Sequence, residues 1–255
     1  MSTEAVASPA VAAAPLATVR RIAIVPAFNE ERNLGGLLDE LRRIDPELEV
    51  VVVSDGSVDR TVEVAASRGA HVVRLPFNVG IGGAVQTGFR YAWEGGYELA
   101  VRLDGDGQHD PAQLPAIVAP VVAGDADIAI GSRFIGEGGY RSSAARRIGI
   151  TVLARAVSRI TRQRLTDTTS GFQALNRRAI GVYAADLPHD YPEVEGIVMA
   201  IRHGLRVREV PVTMREREHG SSSIGALASV YYMIKVLLAI FVDSFRREVV
   251  LPESE

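Results

Sequence analysis

The sequence predicts an α/β fold: a mostly parallel, Rossmann-like central sheet flanked by helices, with an amphipathic helix at its C-terminal end. Three observations carry this. From Arg21 onward short β-branched runs alternate with longer amphipathic stretches, the runs are apolar nearly end to end, and polar turns rich in Gly and Asp follow them. Strands apolar throughout are buried on both faces, which happens when helical crossovers cover a parallel sheet on both sides. A chain of 255 residues, 47% hydrophobic and 23% charged, is long enough to bury such a core.

Residues 1–18 are rich in Ala, Pro and Ser and lack a basic n-region and a compact apolar run, so they read as a disordered leader rather than a secretory signal. RIAIVP then reads as a strand, ERNLGGLLDELRRI as a helix, LEVVVVSD as a strand, and Asp59 to Arg68 as a helix with Asp59 at its N-cap. HVVRL, the glycine-rich segment to Trp93, LAVRLD, a helix near Pro111 to Ala123 and DIAIGSR continue the alternation. After Gly131 the rhythm changes to a helix from about Ala144 to Arg162, an irregular TDTTSGFQAL, a helix near Glu193 to His203, the strand LRVREVPVTM and the polar loop REREHGSSS. One domain is expected over 19–223, followed by a helix and tail over 224–255. That helix holds SVYYMIKVLLAIFVDSFRR, close to the ~20 residues of a bilayer span but interrupted by Gly225, Ser229 and Lys235. It reads as amphipathic, packed on the core, pairing two copies of the chain, or lying on a membrane surface with Arg246 and Arg247 near the headgroups.

With 28 basic residues against 31 acidic, the net charge of -3 gives no general attraction to nucleic acid and points to a small ligand. The absence of cysteine excludes disulfides, thiolate metal sites and cysteine nucleophiles. No G-x-S-x-G elbow, Walker A loop or HEXXH pair is present, so hydrolase, P-loop and zincin chemistries have no footing.

Ligands of open α/β sheets bind beyond the carboxyl ends of the strands. Three such ends stand out: Pro26-Ala27-Phe28-Asn29-Glu30, Ser54-Asp55-Gly56-Ser57 and Asp104-Gly105-Asp106-Gly107-Gln108. Asp104 and Asp106, one residue apart, suit a shared hard divalent cation, with Gln108 as a neutral oxygen donor; magnesium and manganese favour such ligands together with substrate phosphates. NVGIGGAVQTG departs from G-x-G-x-x-G at Val85, which argues against a dinucleotide cofactor. Its glycines serve either close approach to a diphosphate or tight helix–sheet packing. His71, His189 and His203 have no partners at metal-ligand spacing, while His109 and His219 stay open. The chemistry indicated is metal-assisted displacement at a diphosphate.

In order along the chain, IVPAFNEE, VVVSDGSVDRT, NVGIGGAVQTG, LDGDGQHDP, GSRF, DTTSGFQALNR and the EVPV strand followed by Arg217-x-x-Gly220-x-Ser222 resemble family 2 glycosyltransferases of the GT-A fold. Among these they resemble the polyprenyl-phosphate, dolichol-phosphate mannose synthase-like branch, from roughly Arg21 to Ser223. It implies inverting, metal-dependent transfer of a sugar from a nucleotide-sugar donor to a polyprenyl phosphate. It implies that Pro26, Phe28, Glu30, Val53, Asp55 and Gly105 hold the nucleotide. Asp104 and Asp106 would engage the ribose–diphosphate end and, with Gln108, a Mg2+ or Mn2+. Arg217 would clamp the diphosphate. Arg147, four residues before Thr151, matches the acceptor-phosphate arginine, and Arg133 of GSR is a second candidate, since a guanidinium engages phosphate in a bidentate way. Ser54 stands where the family commonly has a second aspartate, and Ser223 where a lysine often follows the serine.

A phosphate monoester is already ionised and needs cationic positioning, whereas a sugar hydroxyl needs a base. Arg141, Arg146 and Arg147 suit the phosphate; a hydroxyl of a glycan or small soluble acceptor would turn to Glu195 or Glu193. Clear transmembrane segments like those of some relatives are missing, so a cytoplasmic protein at the inner face of the plasma membrane is expected, through peripheral contact of the C-terminal helix or a membrane partner. A binding protein without turnover fits poorly with Asp104, Asp106, Gln108 and Arg217 together. A nucleotidyltransferase would have a glycine-rich basic loop where this chain has PAFNEE.

Overall fold

The computed structural model describes residues 19–135 and 144–215 together with residues 235 and 238. The expected leader, the expected loop from Glu216 onward and the rest of the expected C-terminal helix lie outside the described residues. The strands are β1 (Arg21–Ala27), β2 (Glu49–Asp55), β3 (His71–Leu75), β4 (Leu99–Arg102), β5 (Ile128–Ser132), β6 (Gln173–Asn176) and β7 (Val207–Pro211). The helices are α1 (Leu34–Ile44), α2 (Thr61–Ser67), α3 (Ile81–Glu94), α4 (Leu114–Val122), α5 (Ala144–Thr161), α6 (Arg177–Asp186) and α7 (Pro192–Arg202).

The strands form one seven-stranded sheet in the order β3-β2-β1-β4-β6-β5-β7. All neighbours are parallel except β6, which runs antiparallel to both β4 and β5. β1 shows why the expected burial on both faces holds. Successive side chains point to opposite faces, so Ile22 and Ile24 join one core with Val53 and with Val85 and Phe89 of α3. Ala23, Val25 and Ala27 join the other with Leu34, Leu37 and Leu41 of α1.

Helix α3 sits close to the sheet because it presents glycine there. A Cβ on Gly88 would lie 2.3 Å from Ile24 Cγ2, and one on Gly82 would lie 2.2 Å from the His189 carbonyl oxygen. Tight helix–sheet packing, one of the two roles expected of this glycine-rich stretch, is therefore met at Gly88, while Gly82 makes room for the chain at His189 ahead of α7.

Three readings need correction. TDTTSGFQAL is not irregular to its end, because its last residues enter β6 and pair with both β4 and β5. Helix α6, absent from the sequence expectation, follows β6 directly, with the Asn176 side chain accepting a hydrogen bond from Ala179 N at 3.0 Å. Helix α2 begins one residue later than expected, with Arg60 at the cap position. Asp59 still accepts from Thr61 N at 3.0 Å, and also from Glu31 N at 3.1 Å.

The connections run from β1 outward through β2 to β3 and then return to β4 on the other side of β1. That reversal opens a crevice beyond the carboxyl ends of β1 and β4, where ligands of such sheets bind. PAFNEE, SDGS and DGDGQ all follow strands at this edge.

Candidate active site

The loops after β1 and β2 are laced together through side chains. Asn29, at φ 56, adopts the left-handed conformation that Asn tolerates best among residues with a side chain. Its Oδ1 accepts from Val58 N at 3.0 Å, and its own N–H donates to Ser57 Oγ at 3.1 Å. Glu30 N donates to Thr61 Oγ1 at 2.9 Å, and the Glu30 carboxylate accepts from Asn33 Nδ2 at 2.7 Å. Phe28 stands out from this lacing, 48% exposed. Pro26, at the end of β1, accepts through its carbonyl from Gly105 N at 3.3 Å. A Cβ on Gly105 would lie 3.1 Å from that carbonyl oxygen, so a glycine lets the third strand-end turn close onto the first.

Two residues expected at the nucleotide are buried. The Val53 side chain is fully buried in the core beneath α3. Asp55 is 4% exposed, and its two carboxylate oxygens accept from Val79 N at 2.7 Å and Gly80 N at 3.0 Å. Those amides lie just before the first turn of α3, where a carboxylate meets unpaired N–H groups and the positive end of the helix dipole. Asp55 thus fixes the NVGIGG segment against the β2 loop.

The DGDGQ turn is held from below. Asp106 Oδ1 accepts from Gln108 N at 3.0 Å across Gly107, which has φ 75. Asp104 N donates to His109 Nδ1 at 3.0 Å. The His109 ring is buried and stacks on Phe172 with centroids 5.2 Å apart. Burial depresses its pKa despite the opposing pull of Asp104 and Asp106, so the ring is neutral with its proton on Nε2. Beneath Asp104 lies the fully buried guanidinium of Arg102. Its Nη2 bonds to Glu193 Oε1 of α7 and, at 3.4 Å, to Asp104 Oδ1. Burial works against this charge, but the two carboxylates outweigh it and raise the Arg102 pKa. Gly171 closes the arrangement, since a Cβ there would lie 2.9 Å from Asp104 Oδ2.

The chain leading into REREHGSSS is fastened to the same turn: Met214 bridges to His109, and Arg215 N donates to Gln108 O at 2.9 Å. Arg217 lies outside the described residues. Arg147 falls in the first turn of α5, with its side chain outside them too. Arg133 is placed differently from the acceptor-contacting role expected of it. Its Nε and Nη2 bond to Asp167 at 2.6 and 2.8 Å, and Nη2 also reaches Thr169 Oγ1 at 2.6 Å. The pair is buried, and Arg133 thereby shapes the DTTSG segment. Glu209 supports it from the other side, accepting from Thr166 N and Asp167 N at 2.8 and 2.6 Å.

Among the described residues no group of three His, Cys, Asp or Glu side chains could hold a metal. Asp104 and Asp106 on one turn nevertheless fit an ion such as Mg2+, which binds through one or two carboxylates and completes its shell with water and substrate phosphates. The Asp104 side chain is 36% exposed and Asp106 8%, so the pair forms a shallow, oxygen-rich lip rather than a closed cage.

A family model described as Glycosyl transferase family 2 matches residues 22–183. With the fold and this strand-end site, the match defines the class, and the chain belongs to glycosyl transferase family 2. Within it the relatives mark the polyprenyl-phosphate branch. The chain is 33% identical over 217 residues to polyprenol monophosphomannose synthase of Mycolicibacterium smegmatis, covering 81% of this chain and 82% of that protein. It is 36% identical over 215 residues to undecaprenyl-phosphate mannosyltransferase of Micrococcus luteus, covering 81% and 88%. Among solved structures, glucosyl-3-phosphoglycerate synthase from Mycobacterium tuberculosis in complex with UDP superposes with a TM-score of 0.69 at 22% identity, over 93% of this chain and 83% of that one. The same enzyme with Mn2+ and UDP-glucose gives 0.68 at 20% identity, over 89% and 79%. At such identity the likeness is one of fold, the GT-A fold.

Proposed function

We propose that this glycosyltransferase moves a hexose from a nucleotide sugar to a polyprenyl phosphate, with inversion at the anomeric carbon and dependence on a divalent ion. The observation that carries the reading is the Asp104/Asp106 turn at the β1–β4 reversal, joined to strand-end loops of the kind a nucleoside diphosphate needs. The names of the two bacterial relatives supply the acceptor class.

In this reading Pro26, Phe28, Glu30 and Gly105 line the nucleotide side, with Asp55 holding the adjoining loop in place. Asp104, Asp106 and Gln108 hold a Mg2+ or Mn2+, an ion that offsets the charge gathering on the leaving nucleoside diphosphate. The Mn2+ and UDP-glucose of the neighbouring enzyme are in keeping with this donor side. Arg217, two residues beyond the Arg215 backbone bonded to Gln108, clamps the diphosphate. Arg147 receives the acceptor phosphate, and Arg133 acts by holding the DTTSG segment through Asp167.

Two observations favour a phosphate over a hydroxyl acceptor. The Glu193 carboxylate is engaged by the buried Arg102, and Glu195 is 6% exposed. Neither is presented as the base that a hydroxyl would require, whereas an ionised phosphate attacks once cations have positioned it. No helix among the described residues is long and apolar enough to cross a membrane. Contact with the membrane that holds the lipid, at its cytoplasmic face, falls to the 224–255 segment or to a membrane partner, and self-association falls to the same segment.

Calorimetry with UDP-, GDP- and dTDP-sugars, with and without Mn2+, tests the donor side. One donor should bind only with Mn2+, and Asp106→Ala should lose that binding; binding unaffected by Mn2+ and by Asp106→Ala would contradict the assignment.

A further inference from the structure

Arg102 is out of place for its strand. Leu99, Ala100, Val101 and Leu103 around it are buried and apolar, and Arg102 itself is 2% exposed. A buried ion pair is weak evidence of stability, because apolar residues of similar volume generally serve as well or better. The surroundings of Arg102 are not even fully satisfied. Its Nε has no hydrogen-bond partner, and neither has Gln173 Oε1, on the residue directly across the β4–β6 pairing, nor the buried Tyr183 hydroxyl. Stability alone gives little reason for a cation here.

Its position relative to Asp104 gives another. Arg102 ends β4, Asp104 follows two residues later, and the two side chains meet. Arg102 Nη2 touches both Asp104 Oδ1, at 3.4 Å, and Glu193 Oε1, with the Glu193 contact the closer. Formal charges over Arg102, Asp104 and Glu193 sum to one net negative. Were Glu193 neutral, the buried guanidinium would have Asp104 as its sole counter-ion and would compete with any divalent cation for it. With Glu193 taking the closer contact, Asp104 is held laterally without being the guanidinium's main counter-ion.

We propose that Arg102 and Glu193 form a positioning pair for Asp104, fixing its side chain while leaving its charge available to a divalent ion and the nucleoside diphosphate bound with it. This rests on the glycosyl-transfer reading above.

The test is calorimetric titration of Mn2+ in the presence of UDP and, separately, GDP, on the full chain, with thermal melting alongside. Glu193→Gln should stay folded, since Arg102 keeps Asp104 as a partner, and should weaken Mn2+ binding about tenfold, the scale on which groups supporting a metal ligand act. The double variant Arg102→Met, Glu193→Gln restores the original net charge and removes the competing cation. Its Mn2+ affinity should recover to within about threefold of the unaltered protein's, while kcat for sugar transfer stays at least about tenfold low because Asp104 is no longer held. A merely structural pair would shift melting temperature and leave Mn2+ affinity where it was. Unchanged Mn2+ binding in Glu193→Gln, or a double variant that binds no better than Glu193→Gln, overturns the proposal alone. Absence of Mn2+-dependent binding of either diphosphate to the unaltered protein overturns the glycosyl-transfer reading and the pair's role with it.

Discussion

Asp55 is a buried carboxylate at a strand end that ties two loops together. By accepting from Val79 N and Gly80 N it sets the path of the chain into α3, so Asp55→Ala should cost about 1 kcal/mol, as loss of a helix cap does. Chemical denaturation measures that cost, and calorimetry should show weaker donor binding in the same variant. In the proposed reading Asp106 acts at the reacting end. Asp106→Ala should melt within a few degrees of the unaltered protein and show no metal-dependent transfer in a radiolabelled sugar assay. The Asp104/Asp106 pair was legible in the sequence because its spacing and its place after an apolar run are local facts. Arg102 carried a readable signal too, as a charge inside an apolar run that calls for a buried partner. The identity of that partner, Glu193, depends on α7 packing beneath the turn, and the sequence leaves that open. His109 stayed undecided for the same reason: its partners are the Asp104 backbone and Phe172, the latter brought in by β6.

Among the elements, α3 is the one whose seating the site depends on most, since its start carries the segment fixed by Asp55. Gly88→Ala would drive a Cβ into Ile24 of β1, and overpacking of this kind costs about 1–3 kcal/mol. A lowered midpoint in urea with an unchanged m-value is the expected result. Strands β1 and β2 and helix α1 were readable from periodicity because each is long enough to show it. β6 was not. It has four residues, and its strand character comes from the ladders offered by β4 and β5 rather than from its own side chains. Helix α6 was hidden by following that strand without a loop. The motif GSRF was visible, but that Arg133 points back to Asp167 follows from tertiary pairing across 34 residues.

For the molecule as a whole, the sheet anchors its first strand far from the chemistry, at the opposite end of β1. Arg21 there is 8% exposed and bonds to Asp45 through Nε at 2.6 Å and Nη2 at 2.7 Å. The hydrogen bonds from Arg21 hold the Asp45 carboxyl below the usual carboxylate range. A carboxylate depressed in the folded state adds stability above its unfolded pKa of about 4 and loses it as pH falls through the lower folded value. Unfolding free energy should therefore fall with acidity below about pH 4 less steeply in Asp45→Asn than in the unaltered protein. At pH 7 the same variant should be about 2 kcal/mol less stable, with its affinity for donor unchanged. In the proposed reading the carboxyl edge of the sheet carries the function, and one assay addresses it most directly: incubation of the purified chain with labelled GDP-mannose, UDP-glucose and UDP-N-acetylglucosamine in turn, a short polyprenyl phosphate and Mn2+, followed by extraction of the lipid. Label in a polyprenyl-phosphate sugar from one donor, absent with chelator and absent in Asp106→Ala, is the predicted result. Label that forms equally with chelator or in Asp106→Ala, or a donor consumed with no label entering the lipid, would contradict it.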